Sequence, residues 1–177
     1  MLLLSHPRAL AQDDGLRPAQ VMALAADTAK VMKLSDLCYA YRRINGDSAL
    51  LFGNAALHLA EKLNYARGEA QACNDMAIIH MDRSDYAGAD SLLHHSLRIR
   101  TAIGDSIGMA AVHNKLGNIY QAQFRLEEAL EENLQALQIF ERIGPPAHEA
   151  LILNNIANLQ FNLRRYDIAL ATHRRAA

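Results

Sequence analysis

From Pro18 onward, apolar residues return at intervals of three and four, the spacing of an α-helix with one buried face. Val21, Leu24 and Ala25 open the pattern, with Pro18 suited to a first helical turn. Asp27-Thr28 offers an N-cap or a kink before Val31, Leu34, Leu37, Cys38 and Tyr41 continue the apolar face. Asn45-Gly46-Asp47-Ser48 reads as a turn plus N-cap, and the helix after it runs to about Lys62 with Leu50, Ala56, Leu57, Leu59 and Leu63 available for burial. From Gly68 a further helix directs Ala70, Cys73, Met76, Ala77 and His80 inward. Its partner follows the cap Ser84-Asp85 and ends near Ile103, where Gly104 supplies a stop. Asp105-Ser106 starts the next helix, and Glu127 and Glu128 sit early in the one after, at the positive end of its dipole. Gly144-Pro145-Pro146 ends that helix and begins another, about Pro146 to Asn162.

These helices repeat. Gly108 to Ala147 is a complete helical hairpin, and small residues of the second helix, Ala49, Ala89, Ala129 and Ala169, recur at one constant interval. A fixed period of about 40 residues predicts an all-α solenoid of stacked hairpins. The expected array covers 18–177, with hairpins at about 27–67, 68–107, 108–147 and 148–177, the last incomplete, behind a tail at 1–17. The first hairpin is one residue shorter between Tyr41 and Ala49 than the third is between Tyr120 and Ala129, which places a deletion in its turn. Ala129 and Ala136 keep one helix face flat for close approach, with Leu116 and Tyr120 filling the space opposite. His80 and Gln160 replace that tyrosine in the neighbouring hairpins, where a hydrogen-bonded His80 is expected.

Composition narrows the function classes. Eighteen Lys and Arg against nineteen Asp and Glu give a net charge of −1, which makes no electrostatic case for nucleic acid or an anionic membrane. No apolar run approaches the roughly 20 residues that span a bilayer. Cys38 and Cys73 lack CxxC spacing and lie on different helices, so buried free thiols are expected. Met1 to Gln12 ends in Ala9-Leu10-Ala11, the small-x-small pattern of a secretory cleavage site, although its leucine run is short. An extracytoplasmic location is favoured over a cytoplasmic one on that basis.

Leu116-Gly117, Tyr120, Ala129 and Ala136 resemble the tetratricopeptide repeat motif, without its usual Trp and Pro. The 40-residue period, closing on ALEENLQALQIFERIG, resembles the longer variant of kinesin light chains, bacterial peptide-binding regulators and bacterial sensor histidine kinases. DTAKVMKLSDLCYAYRR and LAEKLNYARGEA are most similar to the sensor-kinase group, and the resemblance runs from Asp27 to the C-terminus. It implies a right-handed superhelix whose first helices line a concave groove. Positions i, i+4, i+7 and i+8 then face that groove: Asn74, Ile78, Met81 and Asp82; Asn114, Asn118, Gln121 and Ala122; Asn154, Asn158, Phe161 and Asn162. An Asn amide both donates and accepts, as an extended peptide backbone does. Met81, Leu151 and Phe161 are candidates for side-chain pockets. The competing reading is that the asparagines bridge helices or face solvent. The carboxylate clamp of chaperone-binding relatives is not expected, since only Lys115 lies beside the asparagines. Arg42 and Arg43 make one end basic.

Catalytic signatures are absent: there is no Gly-rich phosphate loop, no HExxH and no GxSxG. Among eight histidines, His94 and His95 are adjacent and point about a third of a turn apart, so they do not chelate one ion; no metal or cofactor is expected. Two readings follow. In the first, the array is the peptide- or protein-binding sensor segment of a larger bacterial signalling protein whose output domain lies beyond residue 177. In the second, it mediates homo-oligomerisation with no groove ligand. Glu131, Glu132, Gln135 and Gln138 look solvated, which disfavours a large apolar outer interface.

Overall fold

A computed structural model describes residues 17–143 and 146–176. The N-terminal leucine run, the Ala9-Leu10-Ala11 motif and the Gly144-Pro145 stop lie outside the described residues. Among the described residues there are nine α-helices and no strand. They fall into two compact units that divide between Asp85 and Tyr86.

The first unit holds α1 (Pro18–Met22), α2 (Thr28–Tyr41), α3 (Gly46–Lys62) and α4 (Ala66–Asp82). Its caps follow from local chemistry. The Asp27 side chain accepts from the Lys30 N–H at 2.9 Å, and Asn45 accepts from the Asp47 and Ser48 N–H groups at 3.1 and 3.0 Å. The Lys30 ammonium donates to the Met22 carbonyl at 2.8 Å, which satisfies the end of α1. Val21, Leu34, Leu37, Ala56 and Ala72 form the apolar core, and the Tyr41 and Phe52 rings meet edge to face at 5.2 Å. Cys38 and Cys73 are buried and free.

The second unit comprises α5 (Tyr86–Ala102), α6 (Ser106–Ala122), α7 (Leu126–Ile143), α8 (Pro146–Asn162) and α9 (Tyr166–Ala176). Asp105 accepts from the Gly108 N–H at 3.0 Å and also pairs with the buried Arg100, so one carboxylate caps α6 and fastens it to α5. Leu130, Leu137 and Phe140 of α7 pack with Ile152, Leu153, Ile156 and Leu159 of α8. Each such large side chain contributes about 1.5–3 kcal/mol on burial. Ala129 and Ala136 are fully buried, as the flat-face argument requires. Glu132 corrects its expectation: it is half-buried because its carboxylate meets His113 of α6 at 2.7 Å, whereas Glu131, Gln135 and Gln138 are exposed.

Helix ends close in one recurring way. Asn64, Ser84, Gly104, Phe124 and Arg164 all have positive φ, between 52° and 70°, and are spaced by half the repeat period or by the whole of it. In each case the next residue donates its N–H back five positions, as Asp85 to His80, Arg125 to Tyr120 and Arg165 to Gln160, at 2.8 to 2.9 Å. This double closure satisfies the last carbonyls of the helix. The α2–α3 turn lacks the positive-φ residue, and there the Ile44 and Asn45 N–H groups both reach the Tyr41 carbonyl. The residue deleted from the first hairpin is the left-handed one.

Candidate functional site

The expected groove residues are positioned unit by unit. In the first unit, Asn74 of α4 is buried, and its amide donates to the Asp75 carboxylate at 3.1 Å. Asp75 also accepts from the Ser35 hydroxyl of α2 at 2.5 Å and from Gln71 at 2.9 Å. A buried carboxylate needs such donors, and Asn74 serves as one of them. Ile78 and Met81, further along α4, are half-buried.

In the second unit the asparagines divide into two groups. The Asn114 side-chain oxygen accepts from Asn155 of α8 at 2.8 Å, and Asn154 meets His173 of α9 at 3.2 Å. Both are engaged in helix-to-helix contacts. Asn118 and Asn158, one turn further along α6 and α8, are exposed and carry no side-chain partner among the described residues. They stand one repeat apart at equivalent positions, so two free amides share one register. Gln121 is half-buried and lines an open cleft of about 380 Å³ with Phe124, Leu126 and Asn162. Phe161 is exposed, and its ring meets Tyr166 edge to face at 5.2 Å. Leu151 is exposed as well.

The repeat register and the packing of small alanines beneath these faces decide the family. Profiles described as tetratricopeptide repeat match residues 68–142 and 108–177. The chain belongs to the tetratricopeptide repeat family. Its fold is the all-α helical-repeat class of that family, a scaffold class for protein interaction. Similar solved structures include BtubC (BKLC) from P. vanneervenii, with 20% identity over 89% of this chain and 66% of that one and a TM-score of 0.77. The apo form of RapI is 19% identical over 89% of this chain and 58% of its own, with a TM-score of 0.79. A signal-transduction ATPase with a tetratricopeptide repeat sensor from Pyrococcus horikoshii is 19% identical over 87% of this chain and 24% of its own, with a TM-score of 0.76. The chain thus spans between about a quarter and two thirds of the lengths of these proteins. Among curated proteins none matches.

The tetratricopeptide hairpins also place the titratable groups. Burial pushes the Cys38 and Cys73 thiols up to about 12, with the Asp75 charge adding to the effect at Cys38. Tyr120, which replaces His80 and Gln160 at its repeat position, donates its hydroxyl to Asp90 at 3.0 Å; burial and that bond push it up to about 12. His80 pairs with Asp85 at 2.7 Å, and Gln160 accepts from Thr172 at 2.8 Å. His94 contacts Asp90 and His95 contacts Arg98, so the two rings have separate partners. No group of three metal-ligating side chains occurs among the described residues. No helix among them is long and apolar enough to cross a membrane. Arg42, at the C-terminal end of α2, stacks over Tyr39 at 4.2 Å from the ring centroid.

Asn155, Ser35 and Asp75 were not singled out by the sequence, and neither was the contact of His113 with Glu132. Their contacts join different helices, and the repeat register alone would have flagged the Ser35–Asp75 pair.

Proposed function

We propose that this tetratricopeptide array binds an extended peptide segment of a partner protein along the α6 and α8 faces of its second unit. The observation that carries the reading is the pair of exposed, unpartnered amides of Asn118 and Asn158 at equivalent repeat positions. Gln121 and Phe161 continue the same helical faces, and Asn114 and Asn154 stand behind them, held by Asn155 and His173. The company of solved relatives supports a signalling context: one structure is of a Rap protein complexed with Competence and Sporulation Factor, and another carries a tetratricopeptide repeat sensor. The chain acts in this reading as a sensor or interaction segment of a signalling protein.

Panning a random peptide display library on the full chain tests it. Each amide bond to a backbone contributes about 0.5–1.5 kcal/mol. Asn118→Ala with Asn158→Ala is therefore expected to weaken selected peptides by roughly tenfold at an unchanged melting midpoint. Selected peptides that bind the double variant as tightly as the parent would remove the helix-face site. The oligomerisation reading draws on exposed Ile168 and Leu170 of α9. Sedimentation velocity across a hundredfold range of concentration decides it, because a constant monomer rules it out.

A further inference from the structure

Closing a helix on a left-handed residue is cheap for Gly and tolerable for Asn, and Gly104 and Asn64 fill two of the five positions that do so. In the second unit two others, one repeat apart, hold Phe124 at φ 60° and Arg164 at φ 61°. A bulky side chain in this region is an outlier that packing normally offsets. Here packing offsets nothing: Phe124 is 87% exposed, and the Arg164 guanidinium is exposed with no ion-pair partner among the described residues. Adjacent cations are already neutralised, Arg125 by Glu128 at 2.5 Å and Arg165 by Glu127 at 2.7 Å. Arg164 therefore leaves one uncompensated positive charge two residues along the chain from Asn162, which lines a cleft with Phe124, Leu126 and Gln121.

We propose that this turn edge is a docking site for a peptide segment carrying an apolar side chain followed directly by a carboxylate. The apolar group enters the cleft against Phe124 and Leu126, the carboxylate faces Arg164, and the Gln121 and Asn162 amides take the peptide backbone. Charge complementarity selects this occupant, since an apolar segment without an acid leaves Arg164 unanswered. The site shares Gln121 with the helix-face reading but does not rest on it, because neither Asn118 nor Asn158 takes part.

Two blocked pentapeptides, acetyl-Gly-Gly-Phe-Glu-Gly-amide and its Gln counterpart, titrated into the 15N-labelled full chain, test the site. The acidic peptide is expected to shift the amides of Phe124, Leu126, Asn162 and Arg164 and to bind about fivefold more tightly than the Gln peptide. Arg164→Gln should erase that preference. Phe124→Gly should raise the melting midpoint while weakening the acidic peptide about tenfold. Shifts confined to Asn118 and Asn158, no shifts up to about 5 mM peptide, equal binding of the two peptides, or a lowered midpoint in Phe124→Gly would each overturn the proposal.

Discussion

Cys38 and Cys73 are held as neutral thiols by burial, with pKa values near 12 against an ordinary value of 9.0. A raised folded-state pKa favours the protonated form, so the stabilisation is fully present below pH 9 and is lost as pH rises from 9 towards 12. Thermal melts at pH 8, 10 and 11 should show a steeper decline for the parent than for Cys38→Ala with Cys73→Ala, each compared with its own midpoint at pH 8. Tyr120 supplies a slope in the same direction that both proteins share. At Phe124 the relief of left-handed strain in Phe124→Gly amounts to about 1 kcal/mol, readable as a shift of the urea midpoint. Residues whose role is local were legible in the sequence: Asp27, Asn45 and Asp105 cap helices because their oxygens reach N–H groups two or three positions away. Glu132 was misread because spacing along α7 says nothing about His113 on the facing helix. Phe124 was invisible for the opposite reason, since its side chain is the wrong one for its backbone.

Between elements, α6 and α7 approach each other closely at Gly117. A methyl group on Gly117 would collide with the Asn133 amide nitrogen and stand 3.1 Å from the Ala129 carbonyl oxygen. Asn133 is fully buried, donates to that carbonyl at 2.9 Å, and leaves its own Oδ1 without a partner. Gly117→Ala alone is expected to cost about 1–3 kcal/mol through overpacking. With Asn133→Ala added, the methyl fills vacated space, the orphaned oxygen disappears, and helix propensity improves. A double-mutant cycle by urea denaturation should return a coupling of at least about 1 kcal/mol; additive effects would show that the two sites do not confront each other. The hairpin was legible from Gly117 and Ala129 because small residues at fixed spacing imply touching backbones. The asparagine was not, because on α7 it reads as one more polar residue. The same limit divided the asparagine ladder: Asn114 and Asn118 look alike in sequence, and only helix rotation gives one a partner in Asn155 and leaves the other free.

At the scale of the molecule, the two cysteines both lie in the first unit, and the α7–α8 core lies in the second. In a repeat array stability is a sum of near-neighbour terms, so damage stays close to where it is made. Ile156→Ala is expected to cost about 2–5 kcal/mol and to speed amide exchange in α7–α9 well beyond α2 and α3. Under the same conditions the labelling of Cys38 and Cys73 by Ellman's reagent should change little; a parallel rise would mean that the units open together.

The half-period spacing of left-handed helix ends has a further consequence. At the five left-handed ends, those of α3, α4, α5, α6 and α8, helices that open a hairpin and helices that finish one are closed by the same backbone gesture, so this punctuation does not mark which helix comes first. Phase is written in side chains alone, in pairs such as Gly117 with Asn133 and Asn114 with Asn155. Excision of a single helix between two such ends would leave those ends closed and put the side-chain pairs across the cut out of step. Excision of two would preserve both, which makes the hairpin the smallest piece this chain can gain or lose.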